Sequence, residues 1–181
     1  KSNQVKQKIV KCNNCNTIFP EKSMSEDESR IYIHNELYDI NKYNVNTFKE
    51  AVSKDYFVVK KIKEYFRNGE NALDVGGHIG GFVHNLQTIG YDTYGIDIYK
   101  NAVDFAIRMG QNMYQSQFIE DLPYSIESKS FSLITFMESL YYFEDPKTVL
   151  LKTRSLLNKN GLLIIQTING DSKYFKNHTF F

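Results

Sequence analysis

Apolar residues fall into two rhythms along this chain. Between residues 47 and 66, Ala51, Val52, Val58, Val59, Ile62, Tyr65 and Phe66 recur at three- to four-residue steps, which predicts one amphipathic helix. Lys60, Lys61 and Lys63 lie mostly off that stripe and read as its solvated face, and Gly69 is placed to cap its end. Short apolar runs follow at 72–75, in a stretch ending at Asp97, at 115–119, at 131–137 and at 161–167. The run FSLITFM at 131–137 is apolar at successive positions, as expected of a strand buried on both faces. Residues 82–89, 99–109 and 146–157 carry helical spacing, with Ala102, Val103, Ala106 and Ile107 on one face of the second helix and Pro146 opening the third. Five strands largely alternating with helices predict an α/β fold with a mainly parallel sheet in three layers.

The stretch 71–97, NALDVGGHIGGFVHNLQTIGYDTYGID, organises the rest. It reads as a buried strand, a turn carrying Gly76, Gly77, Gly80 and Gly81, a helix, and a second strand ending in an acid. Strand, glycine turn, helix, strand, acid is the first half of a nucleotide-binding α/β fold. Glycines let a ligand approach the main chain with no Cβ in the way. The helix that follows turns its unpaired N–H groups toward the ligand. Asp97, at a strand end, can accept two hydrogen bonds from a ribose diol. A dinucleotide fingerprint requires G-x-G-x-x-G, and no frame here supplies it because His78 stands at the third position counted from Gly76. What fits is an acid, Asp74, two residues ahead of Gly76, followed by spaced glycines.

On those residues the chain resembles the class I S-adenosylmethionine (SAM)-dependent methyltransferases, in particular the small-molecule group that includes ubiquinone-biosynthesis and sugar methyltransferases. The resemblance covers 71–167, about half the chain, and implies a Rossmann-like, doubly wound fold. It departs at His78, where the family pattern has glycine. It implies a cofactor site built from Asp74, Gly76, Gly77, His78, Gly80, Asp97, Ile98 (with Tyr99 beside it), Ile119, Glu120 and Met137, with Asp121 in the same loosely assigned turn. Tyr43 and Tyr56, near the preceding helix, are candidates to lie over a sulfonium, which favours aromatic faces. The turn Leu156-Leu157-Asn158-Lys159-Asn160-Gly161 resembles the family's turn into the fifth strand. Complete members continue through strands six and seven. This chain stops too soon for both, and since it opens on Lys1 rather than Met it reads as a piece of a longer protein. The expected organisation is an N-terminal segment over 1–45 and a methyltransferase domain over 46–181, incomplete at its C-terminus.

The N-terminal segment carries Cys12-Asn13-Asn14-Cys15. Two thiolates at this spacing can share a Zn²⁺ that needs four ligands. His34 offers a third, with no clear fourth. Some sugar and natural-product methyltransferases resemble this layout, with a small zinc module ahead of the catalytic domain. An unliganded remnant or a redox pair is the competing reading. Residues 21–31 are polar and charged and read as a linker, while 172–181 has no clear reading. The net charge of +1 gives no bulk attraction to nucleic acid or an anionic membrane. No apolar run approaches the ~18 residues of a membrane span, and no signal peptide is visible, so the expected location is the cytoplasm.

The chemistry implied is in-line transfer of a methyl group from SAM to a small-molecule acceptor, with O- or C-methylation favoured. A base is then needed. Many relatives carry a histidine after the fourth strand, where Tyr141 and Tyr142 stand here. His78, Glu138, Tyr141 and Tyr142 are the candidates beside the site. No Asp/Asn-Pro-Pro-Tyr/Phe follows that strand and no Pro-Cys occurs, which disfavours methylation of adenine or amide nitrogen and of cytosine C5. Two alternatives stay open: a non-catalytic SAM-fold binding module, and an NAD-dependent oxidoreductase, which Asp97 would suit but the glycine spacing does not. The oligomeric state cannot be read.

Overall fold

In the computed structural model, residues 9–22, 25, 40–65 and 69–169 are described. Tyr32, His34, Tyr38, Phe66, most of the linker expected at 21–31 and the tail over 172–181 lie outside them. Strand β1 (Ile9–Lys11) pairs antiparallel with β2 (Ile18–Pro20), Val10 opposite Phe19, so the Cys12–Cys15 stretch forms the tip of a hairpin.

The main sheet is parallel throughout. It comprises β3 (Asn71–Val75), β4 (Asp92–Asp97), β5 (Met113–Gln115), β6 (Phe131–Met137) and β7 (Leu157–Gln166), in the order β5-β4-β3-β6-β7. β3 is central, with Val75 opposite Ile96 on one side and Asp74 opposite Thr135 on the other. The winding reverses between β3 and β6, and that reversal opens a crevice at the carboxyl ends of the strands. Helix α1 (Val45–Lys54), α2 (Tyr56–Ile62), α3 (Gly81–Thr88), α4 (Lys100–Arg108), the one-turn α5 (Tyr124–Glu127) and α6 (Pro146–Leu156) surround the sheet.

Side-chain alternation along each strand divides the core into two faces. Leu73, Val75, Ile134 and Phe136 pack with Ile126 of α5 and Val149 and Leu156 of α6. Ala72 and Leu133 pack on the opposite face with Val59 and Ile62 of α2 and Phe82 and Leu86 of α3. No helix among the described residues is long and apolar enough to cross a membrane.

Three expected elements are corrected. The single helix over 47–66 is two helices with a break at Asp55, followed by a 3₁₀ turn at Lys63–Tyr65. The break lets each half aim its apolar face at a different target. Phe48 of α1 joins Ile79, Ala102 and Phe105, whereas Val59 and Ile62 of α2 meet the sheet. At its start, the Asn44 side chain accepts from the Asn46 and Thr47 amides while Thr47 Oγ1 accepts from the Asn44 amide, a reciprocal cap. The third strand is Met113–Gln115, not 115–119. Met113 packs on Val83, Val103 and Ala106, and the chain then leaves the sheet through Phe118 at φ 74°. The fifth strand begins directly at the end of α6, at Leu157, where a turn was expected.

Helix α1 reaches the sheet's ligand end by lying directly on the start of α3. A Cβ added to Gly81 would come within 2.6 Å of the Ala51 backbone carbonyl carbon. Only glycine leaves room for that approach. Gly81→Ala should therefore lower the free energy of unfolding by about 1–3 kcal/mol through overpacking, read from urea denaturation midpoints against the wild type.

Candidate functional site

The carboxyl ends of β3, β4 and β6 and the α1–α2 break enclose a cavity of about 620 Å³. Its lining includes Asp74, Gly76, Gly77, His78, Asp97, Ile98, Tyr99, Met137 and Glu138. A cleft at this point of a doubly wound sheet is where such folds hold ligands.

The turn after β3 is built around Asp97. The acid is only 4% exposed. Its Oδ2 accepts from the His78 amide at 2.8 Å and its Oδ1 from the Tyr99 amide at 2.9 Å. The amides of Gly76 and Gly77 both donate to the Ile96 carbonyl at 2.9 Å, tying the same turn to β4. Gly76 sits at φ 81°, and a Cβ there would come within 2.4 Å of Ser139 Cβ. Ser139 Oγ in turn donates to the Val75 carbonyl. Gly76 is thus glycine on two counts, its conformation and the space that Ser139 occupies.

Asp74 lies beneath this turn, 1% exposed, with Thr135 Oγ1 donating to its Oδ1 at 2.6 Å. Burial pushes its pKa up to about 7, with the neighbouring Asp55 and Asp97 carboxylates adding to the rise against the Thr135 bond. His78 is moved the other way. Burial, with Lys54 nearby, pushes it down to about 4, so the imidazole is neutral at pH 7. Its Nε2 lies 3.1 Å from the Tyr43 hydroxyl, and the rings meet edge to face. Its φ of 50° is one that few non-glycine residues adopt. The ring packs against α1's approach while the backbone does the turn's work.

Just after β6, Glu138 stands at φ 57°, and its Oε2 meets Lys54 Nζ at 2.6 Å, bridging the end of β6 to α1. Tyr141 and Tyr142 line the wall with ring centroids 4.5 Å apart, and Phe118 and Phe143 continue it.

The structure brings most residues predicted for the site into the lining and places the others elsewhere. Ile119 and Glu120 are not in the lining. Because β5 ends early, Ser116, Gln117 and Phe118 occupy that wall, and Asp121 closes the loop by accepting from the Gln117 amide at 2.6 Å. Gly80 is also outside the lining and faces Gln111 and Ala106, its role being the left-handed turn (φ 80°) that starts α3. Tyr56 is 56% exposed under Lys60, not over the cavity, while Tyr43 is outside the lining and packs behind it on His78 and the Ile79 cluster. Lys54, Asp55, Ser116, Gln117 and Ser139 were not anticipated. For Asp55 a signal exists: it stands four residues after Ala51 and three before Val58, an acid set into an apolar stripe.

At the hairpin, Cys15 Sγ lies 3.2 Å from Thr17 Oγ1, and hydrogen bonds from Thr17 lower the thiol's pKa. Among the described residues no group of three or more His, Cys, Asp or Glu is placed to hold a metal, so Cys12 and Cys15 gain no third ligand there. The zinc expectation therefore has no support in the described residues.

The profile of a family described as "Methyltransferase domain" matches residues 48–179. The chain belongs to this family. Among curated relatives, the methyltransferase domain is 28% identical over 115 residues to a ubiquinone biosynthesis O-methyltransferase of Glaesserella parasuis, covering 59% of this chain and 49% of that one. It is 27% identical over 148 residues to the protein of the same name from Psychrobacter cryohalolentis, covering 77% and 57%. The chain therefore spans about half the length of these relatives. Among solved structures, the plantazolicin methyltransferase BpumL, in complex with a monoazolic desmethylPZN analog and SAH, aligns at TM-score 0.55 and 19% identity over 80% of this chain and 53% of that one. This likeness confirms the Rossmann-like methyltransferase fold.

Asp74 links this site to stability. Its folded pKa of about 7 exceeds the ordinary 3.8, so between those values the folded domain keeps a proton that the unfolded chain has released. The resulting stabilisation is complete below about pH 3.8 and is lost as pH rises through about 7. Relative to Asp74→Asn, the wild type should lose on the order of 3–4 kcal/mol between about pH 4 and pH 8, measured by urea unfolding across that range.

Proposed function

We propose that this domain binds SAM in the cavity at the end of β3 and β4 and transfers its methyl group to a small-molecule acceptor, an oxygen in first place. When bound, this donor supplies an electrophilic methyl group on a sulfonium. The observation that carries the reading is the Asp97 carboxylate, fixed by two backbone amides inside a cavity at the topological switch point. A carboxylate can accept about four hydrogen bonds, so one buried group can anchor the turn and also take ribose hydroxyls. Gly76 and Gly77 keep side chains out of the space beside it, and Ile98, Tyr99 and Met137 supply apolar surface for a base and a thioether. Asp55, Asp97, Glu138 and Glu144 outnumber the single lysine in the lining, which favours a cationic donor.

The oxygen preference rests on the curated relatives named as O-methyltransferases. Holding donor and acceptor in line at near-attack distance is the main contribution of such a site. The reading takes 46–181 as the catalytic unit and the cytoplasm as its location, with a small molecule rather than nucleic acid as acceptor, consistent with the net charge of +1.

Calorimetric titration tests the donor. S-adenosylhomocysteine should bind with a dissociation constant on the order of micromolar, and NAD should not bind. Asp97→Ala should weaken S-adenosylhomocysteine by at least about 100-fold, since it removes charge-assisted bonds to the ligand and to the turn. Equal binding by the variant, or binding of NAD alone, would overturn the donor assignment.

A further inference from the structure

Resting on that reading, we infer that Asp55 is the group that takes the proton from an acceptor hydroxyl. No other carboxylate or imidazole in the lining is as well placed. Asp97 holds the glycine turn, and Asp74 is enclosed beneath it on Thr135. His78 points its Nε2 at the Tyr43 hydroxyl. Glu138 is clasped by Lys54, and Glu144, though in the lining, is exposed to solvent.

Asp55 differs in three ways. It occupies the break between α1 and α2, so its side chain projects from a helix corner rather than along a helix face. Although it stands at the N-cap of α2, its side chain makes no capping hydrogen bond there, so helix capping does not explain the acid. It lines the cavity on the β6–β7 side, where Glu138 and Gln166 face it, whereas Asp97 ends β4 on the other side of β3.

Its surroundings suit a base. Lys54 of its own helix and Gln166 from the end of β7 face it and favour the carboxylate, while Glu138 from β6 disfavours it. Asp74 from β3 lies close enough to interact with it electrostatically. Half-burial outweighs the favourable contacts and holds its pKa above the ordinary carboxylate range. A carboxylate whose pKa is raised toward the working pH is a better proton acceptor.

The step balances. The hydroxyl proton goes to an Asp55 carboxylate oxygen, and the hydroxyl oxygen's electron pair forms the new O–CH₃ bond. The S–CH₃ pair stays on sulfur, so a sulfonium becomes a neutral thioether as the carboxylate becomes a carboxylic acid. Bulk water then recovers the proton.

The test compares the full-length wild type with Asp55→Asn and Asp55→Glu, using methyl-labelled SAM and catechol, whose flat ring suits the aromatic wall. Asp55→Asn should bind S-adenosylhomocysteine within about 3-fold of the wild type and keep its unfolding midpoint. Its kcat should fall about 100-fold or more, the range that a general base contributes. The wild-type kcat should fall away on the acid side with a slope of one, Asp55→Asn should lack that limb, and Asp55→Glu should recover part of the rate. An Asp55→Asn kcat within about 3-fold of the wild type would overturn the assignment, as would a wild type that binds S-adenosylhomocysteine but transfers no methyl to catechol. A folded wild type that does not bind S-adenosylhomocysteine would instead overturn the donor reading beneath it.

Discussion

The arrangement depends on one buried carboxylate. Asp97 ends β4 and spends its two oxygens on the amides of His78 and Tyr99, the first from the turn after β3 and the second at the start of α4. A charge in that position costs desolvation energy unless it is met by donors, and two aligned N–H groups meet it. The same pair of bonds places the glycine turn against β4, sets the left-handed conformation of His78, and starts α4 beside the cavity. Without them, neither the turn nor the helix would have a reason to stand where a nucleoside needs them.

The carboxyl side chains around the cavity then divide by depth. Asp74, nearly inaccessible and bonded to Thr135, holds a proton near neutral pH and serves the frame. Asp97 anchors the turn and faces the cavity. Asp55 and Glu138, at the mouth, share Lys54 and keep contact with solvent. Desolvation is the largest cause of the raised pKa at both Asp74 and Asp55.

Much of this was legible in the residues. The stretch 71–97 could be read because its features are local: a continuously buried run in β3, glycines where side chains would clash, an acid at a strand end. Strand β6 was equally plain, since a central parallel strand is apolar on both faces. What escaped were features set by distant packing. The break at Asp55 interrupts an acceptable helical pattern, and it exists because Phe48 and Val59 answer to different parts of the core. The early end of β5 depends on Met113 filling the space above Gly95, where a Cβ would come within 2.1 Å of its sulfur. That shift carried Ile119 and Glu120 out of the site. His78 is a candidate base by its place in the motif; its backbone amide holds Asp97, and burial lowers the ring's pKa to about 4, which makes the imidazole a weak proton acceptor.

The central claim is that Asp97 serves both the turn and a ribose. A crystal structure of the full-length protein with S-adenosylhomocysteine tests it most directly. The account predicts both ribose hydroxyls within hydrogen-bond distance of the Asp97 carboxylate, with the His78 and Tyr99 amides still donating to it. A nucleoside bound elsewhere, or an Asp97 that releases either amide to bind it, would contradict the account.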